Sequence, residues 1–281
     1  MIKHFIMIPL TGVGIPGFRG NDWYRERIEI FKRTTLKSLL NQENKNFIIW
    51  ITCRPEEENN PLTLELGKHL YNLNLEYIFT FNGLMYWDDK FSPDFWSRFK
   101  NVARVIRWGW RNKTLNISLW QVFQDKNRNL EERLGRSLRS VGDRYLTYDW
   151  VYLTRLDSDD MLHRLAVREI QEVDPHVGAL VYRNGYIYNG TEVAEYKPKT
   201  NPPFHTLLFP GDIFWRSDLH LNYYGDFRSH EDIPKLFRTK TLPDGRYCVG
   251  INDPKVHIST RFDHPFRCKI VSIDIMKGFG L

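Results

Sequence analysis

Residues 151–162 read VYLTRLDSDDML. Four apolar or β-branched residues run into Arg155 and Leu156, and then Asp157, Asp159 and Asp160 crowd around Ser158. The apolar run has the length of a buried strand, and the acids stand where that strand must end. Like charges this close repel one another, so water or a cation has to compensate them. Alternation along an extended chain would send Asp157 and Asp159 the same way. Asp160 is then left to open the next element, as a helix cap.

Outward from this stretch the chain alternates between strand-like and helix-like segments. His4 to Pro9 reads as a first strand, NFIIWITCR as a second, LEYIFTF as a third and DWVYLTRL as a fourth. Between them, Asp22 is placed to cap a helix through WYRERIEIFKRTTLKSLLNQ, and PLTLELGKHLYNL has helical spacing. TLNISLWQVFQ and LAVREIQEV read as further helices, and VGALVYRNGYIYNG as a hairpin-like pair. This order predicts an α/β fold: one domain with a mostly parallel central sheet and helices on both faces. The GVGIPG loop after the first strand fits G-x-G-x-x-G through Gly12, Gly14 and Gly17. However, Pro16 keeps it irregular, and the second strand ends Thr52-Cys53-Arg54 without an acid, which argues against a dinucleotide fingerprint.

Composition narrows the class. Of 281 residues 42% are hydrophobic, enough for a large core, and the net charge of +6 suits an anionic partner. Cys53, Cys248 and Cys268 lack metal-ligand spacing, which favours a reducing compartment. No apolar run approaches the roughly 18 residues that cross a bilayer. The expectation is a cytoplasmic protein, with peripheral attachment to a membrane surface as an option.

The acidic cluster admits three chemistries. An EF-hand loop needs a ligand residue and a glycine where Met161 and Leu162 stand. A phosphatase motif wants a small or hydroxyl residue in place of Met161. A strand-end D-x-D holding Mg²⁺ or Mn²⁺ against a diphosphate meets neither objection, since hard carboxylate oxygens suit those ions. The plain alternative is an acidic turn with a helix cap.

The stretch LTRLDSDDMLHRLAVREIQ resembles the signature of the rhamnosyltransferase family, related to the family-2-type glycosyltransferases of GT-A fold. RIEIFKRTTLKSLLNQENKNFIIWI is similar to the family's R…F…T…SL…Q…F…W run. NKTLNISLWQVF, SHEDIPKLF and KVHIST resemble its donor-side helix, its Glu-Asp motif and its late His strand. The resemblance implies a metal-dependent, inverting transfer of a hexose or deoxyhexose from a nucleoside-diphosphate donor to an acceptor hydroxyl on a glycan or lipid-linked glycan. It implies a nucleotide-sugar half over residues 1–160 and an acceptor half over 161–281, with a basic insertion at 124–148. Asp232 is implied as general base, with Glu231 as second choice. Asp157, Asp159 and His257 are implied around Mn²⁺ or Mg²⁺. Pro9, Thr11, Lys113, Asn116, Arg155, Asp157 and Ser158 are assigned to the donor. Arg155 has two open roles, a phosphate contact or an internal partner for Asp157. The family's base-reading acid at the end of the second strand has no counterpart in TCRPEE. The aromatic stretch FHTLLFPGDIFW is expected to form part of the acceptor wall.

A rival reading rests on the segment from Arg98 to Arg144. There Lys and Arg greatly outnumber acids and are interleaved with Trp108, Trp110 and Trp120. Basic residues beside aromatics are what a nucleic-acid groove offers. The alternatives are therefore a nucleic-acid-binding protein, or a glycosyltransferase acting on modified DNA. An enzyme working at an anionic surface would use the same segment.

Overall fold

A computed structural model of the chain describes residues 1–11, 20–54, 57–81, 99, 103, 106, 130–142, 148–198, 204–216, 218–220, 233–250 and 269–281. Strand β1 (Ile2–Pro9) is the axis of the molecule, buried along nearly its whole length. It pairs in parallel with β2 (Ile48–Thr52) on one side and β4 (Trp150–Arg155) on the other, and β2 pairs in parallel with β3 (Tyr77–Thr80). Beyond β4, β9 (His205–Pro210) runs antiparallel and is followed by β6 (Ala179–Val181) and β10 (Thr239–Thr241). The seven strands lie in the order β10-β6-β9-β4-β1-β2-β3, and β9 alone opposes the others.

The period-2 pattern of these strands divides the core into two layers. Ile6, Ile8, Ile49, Ile51, Tyr152, Leu180 and Leu208 face one side. There they meet α1 (Asn21–Phe31), α2 (Lys37–Leu40), α3 (Pro61–Asn72) and α5 (Ala166–Gln171). Phe5, Met7, Ile48, Trp50, Val151, Leu153, Leu207 and Phe209 face the other side. That layer is covered by α4 (Leu130–Gly142), α6 (Gly211–Phe214) and α7 (Ile233–Leu236). The sheet is mostly parallel, has helices on both faces and forms one domain, as the alternation of segments predicts.

The first helix extends from Asn21 to Leu40 and is interrupted by a π-helical turn at Lys32–Leu36. Gly20 stands at its N-cap position without a side-chain cap, and Asp22 lies inside the first turn. In α3, Asn60 accepts from the Leu62 amide and Pro61 opens the helix, a regular N-terminal signal.

Three expectations change. Residues 177–190 do not form a hairpin: β6 belongs to the large sheet, whereas β7 (Gly185–Tyr188) joins a second, five-stranded sheet. There β7 pairs with β8 (Val193–Tyr196) and, in parallel, with β11 (Tyr247–Gly250). Gly185 permits this crossing, because a Cβ there would come within 2.5 Å of the Tyr247 carbonyl oxygen. The remaining strands of the small sheet are β5 (Met161–Leu162), antiparallel to β11, and β12 (Ile270–Val271), antiparallel to β8. Asp160 therefore precedes a short strand and caps no helix. In addition, the phenylalanine rings of FHTLLFPGDIFW are core: Phe204, Phe209 and Phe214 are buried, and Phe214 stacks on Phe5 at 5.9 Å, whereas Trp215 is half-buried. The three buried rings offer no wall to an acceptor.

Candidate functional site

The parallel strands β1 and β4 end side by side, with Met7 in register with Arg155. From β1 the connections proceed outward through β2 and β3, and the next strand among the described residues, β4, returns to the opposite side of β1. That reversal of winding is where open α/β sheets form a crevice beyond the carboxyl ends of their strands. Pro9, Thr11, Arg155, Asp157, Ser158 and Asp159 all lie at this edge.

The acidic turn is built by short hydrogen bonds. The Leu156 amide donates to Met7 O at 3.0 Å, one step past the end of β4, and the Asp160 amide closes the turn on Asp157 O at 3.0 Å. Opposite it runs the first helix. Its π-helical turn presents the buried Thr35, whose hydroxyl donates to Asp160 O at 2.7 Å. Farther along, Ser38 Oγ accepts from the Leu162 amide at 3.2 Å. Gln42 Nε2 donates to the carbonyls of Leu162 and His163, and Gln42 Oε1 accepts from the Val167 amide. Thr35, Ser38 and Gln42 follow helical spacing and so form one polar stripe along the acidic segment. π-turns are often found at functional sites, and this one faces the turn directly.

The protein supplies counter-charges to the carboxylates. Arg155 reaches Asp157 through Nε and Nη2, each at 3.0 Å, a bidentate pair. This realises one of its two expected roles, the internal partner. Asp159 faces Arg27 of α1, with contacts of 3.4 and 3.5 Å, and both side chains are about 6% exposed. Asp160 Oδ1 accepts from the Gly250 amide at 3.1 Å. Burial, and then the charges of Asp159 and Asp157, push the Asp160 carboxyl well above the usual carboxylate range. Ser158 Oγ is fully buried and has no hydrogen-bond partner among the described residues.

Sequence reasoning missed two residues here. Arg27 carries no signal as a lone helix arginine, although it is the R of the R…F…T…SL…Q run. Glu57 lies beyond the end of β2, too far along for strand logic to find it. It folds back so that Thr11 Oγ1 and the Arg54 amide both donate to its Oε2, the amide at 2.9 Å. An acid thus stands at the carboxyl edge between β1 and β2 after all, fully buried. The neighbouring Cys53 is kept as a neutral thiol, pushed up by burial and then by the Glu57 charge.

Lys113, Asn116, Glu231, Asp232 and His257 lie outside the described residues, as do the GVGIPG loop and the segment TLNISLWQVFQ. Ile233, after Asp232, is buried in the core layer that contains Met7 and Leu153. Gly250, seven positions before His257, is bonded to Asp160. Among the described residues no group of three or more His, Cys, Asp and Glu is arranged to hold a metal ion. Also among them, no helix is long and apolar enough to cross a membrane.

The sequence matches no family model, and no curated protein matches it. Solved structures with similarity include residues 1–349 of S. aureus TarS, at 15% identity and a TM-score of 0.41, covering 88% of this chain and 60% of that one. The same TarS fragment in complex with UDP gives 13% identity and a TM-score of 0.40, over 90% and 61% of the two chains. A Desulfovibrio desulfuricans G20 protein assigned as a nucleotide-diphospho-sugar transferase gives 12% and 0.34, over 94% and 87%. The chain thus spans about 60% of the TarS fragment it resembles.

Proposed function

We propose that this chain is a GT-A-type glycosyltransferase that moves a hexose or deoxyhexose from a nucleoside-diphosphate donor to an acceptor hydroxyl, with inversion. One observation carries the reading: the Arg155–Asp160 turn stands at the carboxyl end of β4, at the reversal of winding beside β1. The T-R-L-D-x-D-D resemblance assigns that turn to the donor diphosphate. Thr11 and Pro9 form the adjoining floor of the donor site, in the half spanning residues 1–160. Lys113 and Asn116 flank the donor, and Asp232, with Glu231 as the alternative, takes the proton of the attacking hydroxyl. The acceptor, a glycan or lipid-linked glycan, belongs to the half spanning 161–281.

The donor set fits a divalent cation. Asp157 is partly open to solvent, and Asp159, one alternation further along, stands in the same turn with its contacts to Arg27 at 3.4 and 3.5 Å. Carboxylate oxygens of this kind hold Mn²⁺ or Mg²⁺, with His257 as a further ligand. When bound, the ion neutralises charge on the leaving diphosphate. Arg155, through its bidentate pair, holds the Asp157 carboxylate in one orientation.

Nucleoside-diphosphate binding and sugar transfer, measured across a panel of donors with and without Mn²⁺, test the proposal. Mn²⁺ or Mg²⁺ should strengthen diphosphate binding, and Asp159→Ala should abolish it with the fold intact. Asp232→Asn should keep donor binding and lose transfer by a factor of about 10² to 10⁴, the usual cost of a missing general base. Equal diphosphate binding in excess chelator would end the metal role. Near-normal transfer by Asp232→Asn would move the base to Glu231.

A further inference from the structure

Three carboxylates share the acidic turn, and they are not held alike. Asp157 has a bidentate guanidinium at 3.0 Å, and Asp160 has a backbone amide at 3.1 Å. Asp159, only 4% exposed, faces Arg27 at 3.4 and 3.5 Å, too long for a short charge-assisted hydrogen bond. The segment that follows Asp159 is held by other side chains. Thr35, Ser38 and Gln42 fix the segment from Asp160 to Val167 through neutral bonds to its backbone. What Arg27 adds is charge. A buried carboxylate needs a proton, a cation or a guanidinium beside it, and α1 delivers the last of these from Arg27, itself 5% exposed. In the same turn the fully buried Ser158 hydroxyl has no partner among the described residues, so the turn also holds an unmet polar group.

We infer that Arg27 is a built-in competitor for the divalent cation: it occupies Asp159 while the site is empty, and it yields when Mn²⁺ or Mg²⁺ arrives. The inference rests on the cation reading of the acidic turn and adds its regulation. Two positive groups on one desolvated carboxylate repel strongly, so binding of the ion and pairing with Arg27 oppose each other. A residue that merely positions the ligand would act with the opposite sign, because its removal would weaken the ion's hold.

The test is direct Mn²⁺ titration of the full chain without nucleotide, by calorimetry or by the loss of the free Mn²⁺ spin-resonance signal. Arg27→Gln, which removes charge and keeps a polar side chain, should bind Mn²⁺ at least about tenfold more tightly than wild type, given Coulomb terms of several kcal/mol at this range. It should also gain more thermal stability from added Mn²⁺. Arg27→Lys, which keeps the charge, should stay within about threefold of wild type on the same argument. If Arg27→Gln does not fold, hydrogen exchange on the wild type decides. Mg²⁺ should raise exchange across Asn21–Phe31 while protecting the acidic turn, and unchanged exchange in that helix overturns the competition. Equal or weaker Mn²⁺ binding by Arg27→Gln also overturns it and leaves the cation site standing. Absence of Mn²⁺ binding by both proteins removes the cation site, and the competition with it.

Discussion

His4 sits within β1 with both ring nitrogens engaged. Gln171 Nε2 can only donate, so at 3.1 Å it fixes His4 Nδ1 as the acceptor. Nε2 then carries the proton and donates to Thr154 Oγ1 at 2.7 Å, and Thr154 is bonded in turn to Thr206 across the strand pair β4–β9. Burial lowers the His4 pKa to about 3, and burial lowers that of His220, bonded to Phe214 O, to about 4. Both are depressed below the ordinary 6.5, so the unfolded chain binds the extra protons in this window. Their stabilisation is complete above pH 6.5 and is lost as the pH falls toward 3–4, each contributing a slope of about 1.4 kcal/mol per pH unit. His4→Gln keeps an acceptor and a donor but does not titrate. Urea unfolding between pH 7 and 5 should show its stability falling less steeply, by roughly one group's slope. An identical slope in the two proteins would show that His4 is not neutral in the fold.

At the scale of elements, α4 separates charge from packing. Leu134, Leu138 and Val141 are buried against Phe5, Trp50 and Leu153, while Arg136 and Arg139 are exposed. The segment read as a basic insertion thus contributes one apolar face to the core layer of Phe5 and Trp50. Leu138→Ala should cost about 2–5 kcal/mol, the range for truncating a buried leucine, whereas Arg139→Glu should leave the unfolding midpoint nearly unchanged. Equal effects in chemical denaturation would mean that the helix is not packed through Leu138. The elements themselves differ in how far they were legible. Strands β1, β2 and β4 announced themselves as apolar runs because both of their faces are buried. β6 and β7 did not, because two short apolar runs separated by Asn184-Gly185 look the same whether they pair with each other or enter different sheets. Only the long-range partner Tyr247 decides that. The site shows the same limit. Arg155 and Asp157 are neighbours in sequence and were readable as a pair, but Arg27 meets Asp159 across 132 positions. Ser38 and Gln42 stood in the SL…Q part of the resemblance, but the backbone groups that they and Thr35 bond became visible only with the acidic turn beside them.

For the whole molecule, the question is what the basic excess is for. The chain carries a net charge of +6, and Arg136 and Arg139 lie exposed on α4, whose apolar face covers the sheet layer containing Met7 and Leu153. A nucleic-acid groove and an acceptor-steering surface both use such charges, but they respond to salt differently. Affinity for DNA or RNA through phosphate contacts falls steeply with ionic strength, since each contact releases counterions, with a slope of about −0.9 per phosphate on duplex DNA. If the chain is a glycosyltransferase, nucleic acid should bind weakly, and reversing Arg136 and Arg139 to Glu should alter acceptor use while leaving metal-dependent diphosphate binding largely intact. Both arginines lie on the exposed side of α4, opposite the face that packs on the sheet, and this separation of effects is expected from that placement. Fluorescence anisotropy with labelled DNA and RNA between low and physiological salt, run beside a donor-turnover assay, distinguishes the two. Tight, salt-sensitive nucleic-acid binding by the wild type, lost in the double charge reversal and unaccompanied by turnover of any nucleotide sugar, would replace the enzyme with a nucleic-acid-binding protein.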